Sequence, residues 1–156
     1  MSRDERPAIA PNAAQWQATC VAIGARGVLI EGVSGIGKSS LALALIDRGA
    51  RLVGDDGVLL WSENGPLWAG PVRAIAGKIE VRNLGILEMP ALSAVPIALV
   101  IVLDHAAPRF ITGPESAVRA GQALPLIRLW PDSPQLALRA ELALTHYGLD
   151  AASGVH

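Results

Sequence analysis

Gly32-Val33-Ser34-Gly35-Ile36-Gly37-Lys38-Ser39 is a stretch with the residue types and spacing to hold phosphate. It fits G-x-x-x-x-G-K-[ST], the phosphate-cradling P-loop. Its glycines let the backbone take turns that a Cβ would block, so successive N–H groups can face phosphate oxygens. Lys38 would reach the outer phosphates as a point charge, and the Ser39 hydroxyl would ligate Mg²⁺. Ser40 follows in the first turn of the next helix, whose free N–H groups and dipole favour an anion.

Carboxylates recur where a phosphate site needs them. Asp55 and Asp56 close a short apolar segment, Ala50 to Gly54. At the C-terminal end of a strand they would share the P-loop's edge of a parallel sheet, one acid holding Mg²⁺ and the other serving as general base. The same pair also reads as a surface Asp-Gly turn. In Lys78 to Leu87, Lys78, Glu80 and Arg82 alternate with Ile79 and Val81. Such a charged row is ordinarily solvated; facing the P-loop, Arg82 would meet phosphate and Glu80 a metal. Asp104 ends the apolar run Ala98 to Leu103 as a Walker B aspartate would, and so competes with Asp55 and Asp56 for the metal. His105 reads as a polar surface residue.

The elements around these residues follow from pattern. Gly27 to Glu31 is a short apolar run, hence a buried strand entering the loop. Ser40 to Arg48 is built from strong helix formers and closed by Gly49. Gln15 to Ile23 predicts a first strand, turned by residues 24–27. Val58 to Trp61 and Leu67 to Ala69 flank Asn64-Gly65, a hairpin signal that sets Trp61 opposite Trp68 and asks Pro66 to sit on an edge. For these tryptophans, packing is the better reading than base stacking. Residues 70–77 read as a mobile loop. Residues 106–131 read as loops with one short strand, Leu126 to Leu129. Ser133-Pro134 begins a helix through Leu136, Leu138, Leu142 and Leu144 to Tyr147, stopped by Gly148 and expected to face the core.

Composition narrows the class. The chain has 156 residues, enough for one core, and reads as an arm (1–13), one domain (14–150) and a disordered tail (151–156). Hydrophobic residues make up 51% and aromatics 4%, so Leu, Ile, Val and Ala must build the core. A net charge of −1 gives no reason to expect nucleic-acid binding. Apolar runs stop short of a membrane span, and the polar N-terminus lacks a signal-peptide pattern, so a cytoplasmic protein is expected. One cysteine, Cys20, excludes an internal disulfide and reads as a small buried hydrophobe.

Three stretches in order, residues 27–39, 45–56 and 79–86, together resemble the catalytic domain of bacterial HPr kinase/phosphorylase. The resemblance covers roughly residues 17–104, with weaker support beyond, and is to the short form without the N-terminal domain of longer members. It implies an α/β fold of the P-loop type related to phosphoenolpyruvate carboxykinase, a mixed sheet with flanking helices. It further implies an ATP- and Mg²⁺-dependent kinase acting on a serine of HPr, in many members also a phosphorylase yielding pyrophosphate, and a homo-oligomer, since long members are hexamers. By the same resemblance, residues Gly32 to Ser39 with Ser40 hold the nucleotide and Lys38 acts on its phosphates. Asp55 is the general base, Ser39, Asp56 and Glu80 serve the metal, Arg82 meets the phosphates, and Asp104 becomes structural. Three positions depart from the family pattern. Gln17 stands where a histidine is usual, ten residues before Gly27; Ser40 stands where an acid is frequent; and Asn83 stands where glycine is common. Glutamine hydrogen-bonds but cannot titrate. A nucleotide-binding sensor without catalysis, or a kinase of the same fold with another acceptor, are the alternative readings.

Overall fold

The computed structural model describes residues 9–62 and 65–151. Among the described residues, eleven strands and two α-helices occur in this order: β1 (Ala14–Trp16), β2 (Thr19–Ile23), β3 (Arg26–Glu31), α1 (Lys38–Asp47), β4 (Arg51–Gly54), β5 (Val58–Ser62), β6 (Leu67–Pro71), β7 (Lys78–Val81), β8 (Gly85–Glu88), β9 (Val95–Leu103), β10 (Glu115–Arg119), β11 (Gln122–Leu129) and α2 (Leu136–Tyr147). The main sheet runs β1-β5-β6-β9-β3-β2-β4, with β11 also on β9 and β10 on β11. β3, β9 and β11 are mutually parallel; β2 is antiparallel to both β3 and β4.

Alternation along the strands sorts the core into two layers. Val21, Val28, Ile30, Leu99 and Ile101 face Leu41 and Leu45 of α1 and Ala140 and Leu144 of α2. Cys20, Leu29, Val53 and Val100 face Val58 and Leu60 of β5 and Leu67 and Ala69 of β6. The helices therefore cover one face and the β1-β5-β6 layer the other. β9 is apolar throughout because both its faces are buried. Cys20 is wholly buried, and burial pushes its thiol pKa up. No helix among the described residues is long and apolar enough to cross a membrane.

Several elements differ from the sequence expectation. The first strand is two, broken at Gln17 and Ala18, and β1 pairs with β5 instead of β3. Residues 78–87 form a hairpin, β7 against β8, because Asn83 (φ 73°) and Gly85 (φ 109°) take left-handed conformations that a straight strand forbids. The segment 70–77 contains the end of β6 and a 3-10 turn, Arg73–Ile75. Residues 115–129 are a second hairpin, turned at Ala120 (φ 46°) and Gly121 (φ 83°). Pro125 disguised it; the proline sits just before the parallel ladder to β9, which begins at Leu126, where its missing N–H does no harm.

α2 starts at Leu136, three residues after Ser133, whose Oγ accepts from the Gln135 N–H at 3.0 Å. Leu138 and Leu142 are exposed on its outer side, and Ala140, Ala143 and Leu144 are the residues it buries. Trp61 does lie opposite Trp68, and it is buried, which favours packing. Pro66 precedes β6, which is itself an interior strand. Asn64 of the hairpin turn lies outside the described residues, as do residues 1–8 of the expected arm and 152–156 of the expected tail. The rest of the arm ends in a turn closed by the Ala13 N–H on the Ala10 carbonyl, 3.0 Å.

Candidate active site

β3 ends at Glu31 and the chain enters the loop at Gly32 with φ 150°. A Cβ there would stand 2.9 Å from Ile36 Cγ2 and 3.1 Å from the Leu103 carbonyl oxygen, so the loop is pressed against the end of β9. Gly37 caps α1 in a left-handed conformation, φ 116°, with no side chain closing the helix end. The first-turn N–H groups of α1 thus remain directed at the loop. At the other end, Ala50 N–H to Leu45 O and Gly49 N–H to Ile46 O, both 3.0 Å, form a Schellman closure that aims the chain into β4. Lys38 Nζ donates to the carbonyls of Gly32 (2.8 Å) and Val33 (3.1 Å), which holds its charge over the loop.

β4 carries Asp55 and Asp56 to the same sheet edge. Ser39 Oγ donates to Asp55 Oδ1 at 2.6 Å, and Thr19 Oγ1 to the same oxygen at 3.3 Å. The Glu80 N–H donates to Asp55 Oδ2 at 3.3 Å. Three separate elements therefore hold one carboxylate that is 9% exposed. Asp56 sits at φ 61°, and its N–H donates to Thr19 Oγ1 at 3.3 Å. Aspartate tolerates that conformation better than most residues.

One cavity of about 650 Å³ gathers these groups. The loop residues Gly32, Val33, Ser34, Gly35 and Gly37 line it, with Lys38, Ser39 and Ser40 of α1. Asp55, Asp56, Glu80 and Arg82 line its far side, and Gln17 and Thr19 its floor between β1 and β2. Of the alternatives posed by the sequence, Asp55, Asp56, Glu80 and Arg82 open on the cavity with the loop, and Lys78 is not among its lining residues. Nor is Ile36, whose side chain packs against the helix-side core. Asp104 is also elsewhere, its Oδ1 accepting from the Ala106 N–H at 2.8 Å and its Oδ2 paired with Arg128 at 3.4 Å. No three of the described His, Cys, Asp and Glu side chains come close enough to cage a metal by themselves.

Two features escaped the sequence reading. Thr19 is a fully buried polar residue among apolar neighbours. Its signal was the lone hydroxyl in Ala18 to Ile23, since a buried hydroxyl requires a partner. The other is a half-buried ion pair behind the loop. Arg119 grips Glu31 through two bonds of 2.9 and 2.8 Å, Trp16 Nε1 donates to the same carboxylate at 2.9 Å, and the guanidinium lies 5.2 Å from the Trp16 ring centroid. Nothing in the local sequence links residues 88 positions apart.

Comparison with known proteins places the chain in a family. The family described as HPr Serine kinase C-terminal domain matches residues 9–99. An HPr kinase/phosphorylase from Streptococcus thermophilus (strain ATCC BAA-491 / LMD-9) is 44% identical over 87 residues, 51% of this chain and 28% of the relative. One from Clostridium tetani is 47% identical over 83 residues, covering 51% and 27%. The chain thus spans just over a quarter of the length of each of these two relatives. The solved structure of the Hpr(Ser) kinase/phosphatase from Coxiella burnetii superposes with a TM-score of 0.76 at 31% identity, over 85% of this chain and 88% of that one. The chain belongs to the HPr serine kinase C-terminal domain family.

Proposed function

We propose that this chain is an ATP-dependent kinase that phosphorylates a serine of an HPr-like phosphocarrier protein. The observation carrying the reading is the Asp55 carboxylate, fixed by Ser39 at 2.6 Å beside the phosphate loop and opening on the same cavity. Oδ1 already accepts two hydroxyls, whereas Oδ2 accepts one long backbone bond, so Oδ2 keeps a lone pair for the incoming hydroxyl. In the forward step the serine oxygen attacks the γ-phosphorus in line, its proton passes to Asp55, and the bond to the β-phosphate oxygen breaks. Lys38, the loop N–H groups and Arg82 offer preorganised positive charge to the phosphates. The reverse step, in which inorganic phosphate removes the serine phosphate as pyrophosphate, would use Asp55 as acid.

The oxygen donors Ser39, Asp56 and Glu80 suit Mg²⁺, which takes one or two carboxylates and completes its shell with water and phosphate. When bound, the ion supplies charge neutralisation on the phosphates. A cytoplasmic, homo-oligomeric protein is part of the same proposal.

Gln17 favours a second reading. It lines the cavity with a side chain that cannot titrate, as a nucleotide-binding sensor without catalysis would tolerate. Incubation with γ-labelled ATP, Mg²⁺ and the host's HPr-like proteins separates the two. Label on an HPr serine supports the kinase; ATP binding without transfer supports the sensor.

A further inference from the structure

A second cavity, of about 430 Å³, lies at the same sheet edge and is lined by His105, Trp130, Asp132, Gln135 and Arg139 among others. β9 and β11 end level with β3: Glu31 is in register with Val102, and Leu129 with Leu103. The Asp104 N–H donates to the Leu129 carbonyl at 3.0 Å, which ties the two neighbouring ends together. Trp130 follows β11 directly, one strand beyond β9 and so roughly 10 Å from β3 at ordinary strand spacing. Asp55 follows β4, which stands one strand beyond β2 on the opposite flank of β3. The phosphate loop lies between the two.

Resting on the kinase reading, we infer that Trp130 forms the platform for the base of the nucleoside triphosphate. The transferable phosphate belongs at Asp55, so the nucleoside has the opposite flank, beyond β9, to occupy. The ends of parallel strands are where such sheets receive ligands. Trp130 is built for stacking. Its Nε1 donates to the Ala107 carbonyl at 2.6 Å, which fixes the ring, and the residue stays 39% exposed with Arg139 5.9 Å from the ring centroid. The other described tryptophans are engaged elsewhere: Trp61 is buried, Trp68 faces it across the β5–β6 hairpin, and Trp16 packs against the core layer of β5 and β6. His105 Nδ1 and Asp132 Oδ2, 3.1 Å apart, join the β9 and β11 loops at the cavity, and Gln135 adds an amide that can meet a base edge.

The test is calorimetric titration of the full chain with Mg-ATP and, separately, with inorganic tripolyphosphate, which has no base. Trp130→Ala should weaken ATP about 5- to 100-fold while leaving tripolyphosphate unchanged. Trp130→Phe, which keeps an aromatic face, should recover most of the ATP affinity. Unchanged ATP affinity in Trp130→Ala would overturn the inference and leave the kinase reading standing. Equal loss of both ligands would also overturn it, since Trp130 would then act through the fold. A wild-type chain that binds neither ligand would instead overturn the kinase reading on which the inference rests.

Discussion

Ser39 and Asp55 share a 2.6 Å hydrogen bond that joins the first turn of the phosphate-binding helix to the acid at the end of β4. The same serine is the hydroxyl that a P-loop offers to Mg²⁺. In the proposed kinase, nucleotide binding and the proton acceptor are thus mechanically linked. Asp55→Asn preserves the shape and removes the base. It should bind Mg-ATP within a few-fold of wild type by calorimetry while phosphoryl transfer falls about 10²- to 10⁴-fold. Transfer at the wild-type rate would remove Asp55 from the chemistry.

Thr19 shares its hydroxyl between Asp55 Oδ1 and the Asp56 N–H, both at 3.3 Å. Thr19→Val keeps the volume and leaves both partners short of one bond. It should cost about 1 kcal/mol of stability in urea unfolding and lower kcat more than it raises KM for ATP. Thr19→Ser should restore both quantities; a Thr19→Val enzyme with unaltered kcat would reduce Thr19 to packing.

Glu31 and Arg119 are each about 15% exposed, at 15% and 16% for their side chains, and Glu31 directly precedes the loop. The hydrogen bond from Arg119 to the Glu31 carboxylate raises the Arg119 pKa. Removing one partner leaves a half-buried charge uncompensated. Arg119→Met should therefore destabilise the fold by about 3 kcal/mol. Pairing it with Glu31→Gln should recover part of that loss. Chemical unfolding of the two variants decides; additive losses would mean the pair is not energetically coupled.

Cys20 is 0% exposed and its thiol pKa is pushed up by burial. Alkylation needs the thiolate, so iodoacetamide should fail to label the native protein at pH 8 over hours and label it fully in denaturant. Rapid native labelling, read by mass spectrometry, would show that β2 opens readily.

The candidate phosphate loop was legible because its pattern is local: glycines, lysine and serine stand at fixed spacing within one short stretch of chain. Asp55, Asp56, Glu80 and Arg82 were legible as residue types, but their convergence depends on β2 and β7 packing beside α1. The β7–β8 turn was legible only through the family pattern at Asn83, a residue that tolerates the left-handed backbone; the alternation of residues 78–82 does not itself mark where the strand turns. The β10–β11 hairpin was hidden by Pro125, which discourages a strand reading wherever the ladder is not known. Thr19 and the Glu31–Arg119 pair were missed for one reason. Buried polar groups declare themselves by their partners, and these partners are distant in sequence.

Intact-mass spectrometry of an HPr-like protein after incubation with this chain and Mg-ATP tests the central claim most directly. Wild type should add one phosphate, mapped to a serine, and Asp55→Asn should add none while still binding ATP. An unmodified acceptor with wild type, despite measurable ATP binding, would contradict the kinase assignment and favour the sensor marked by Gln17.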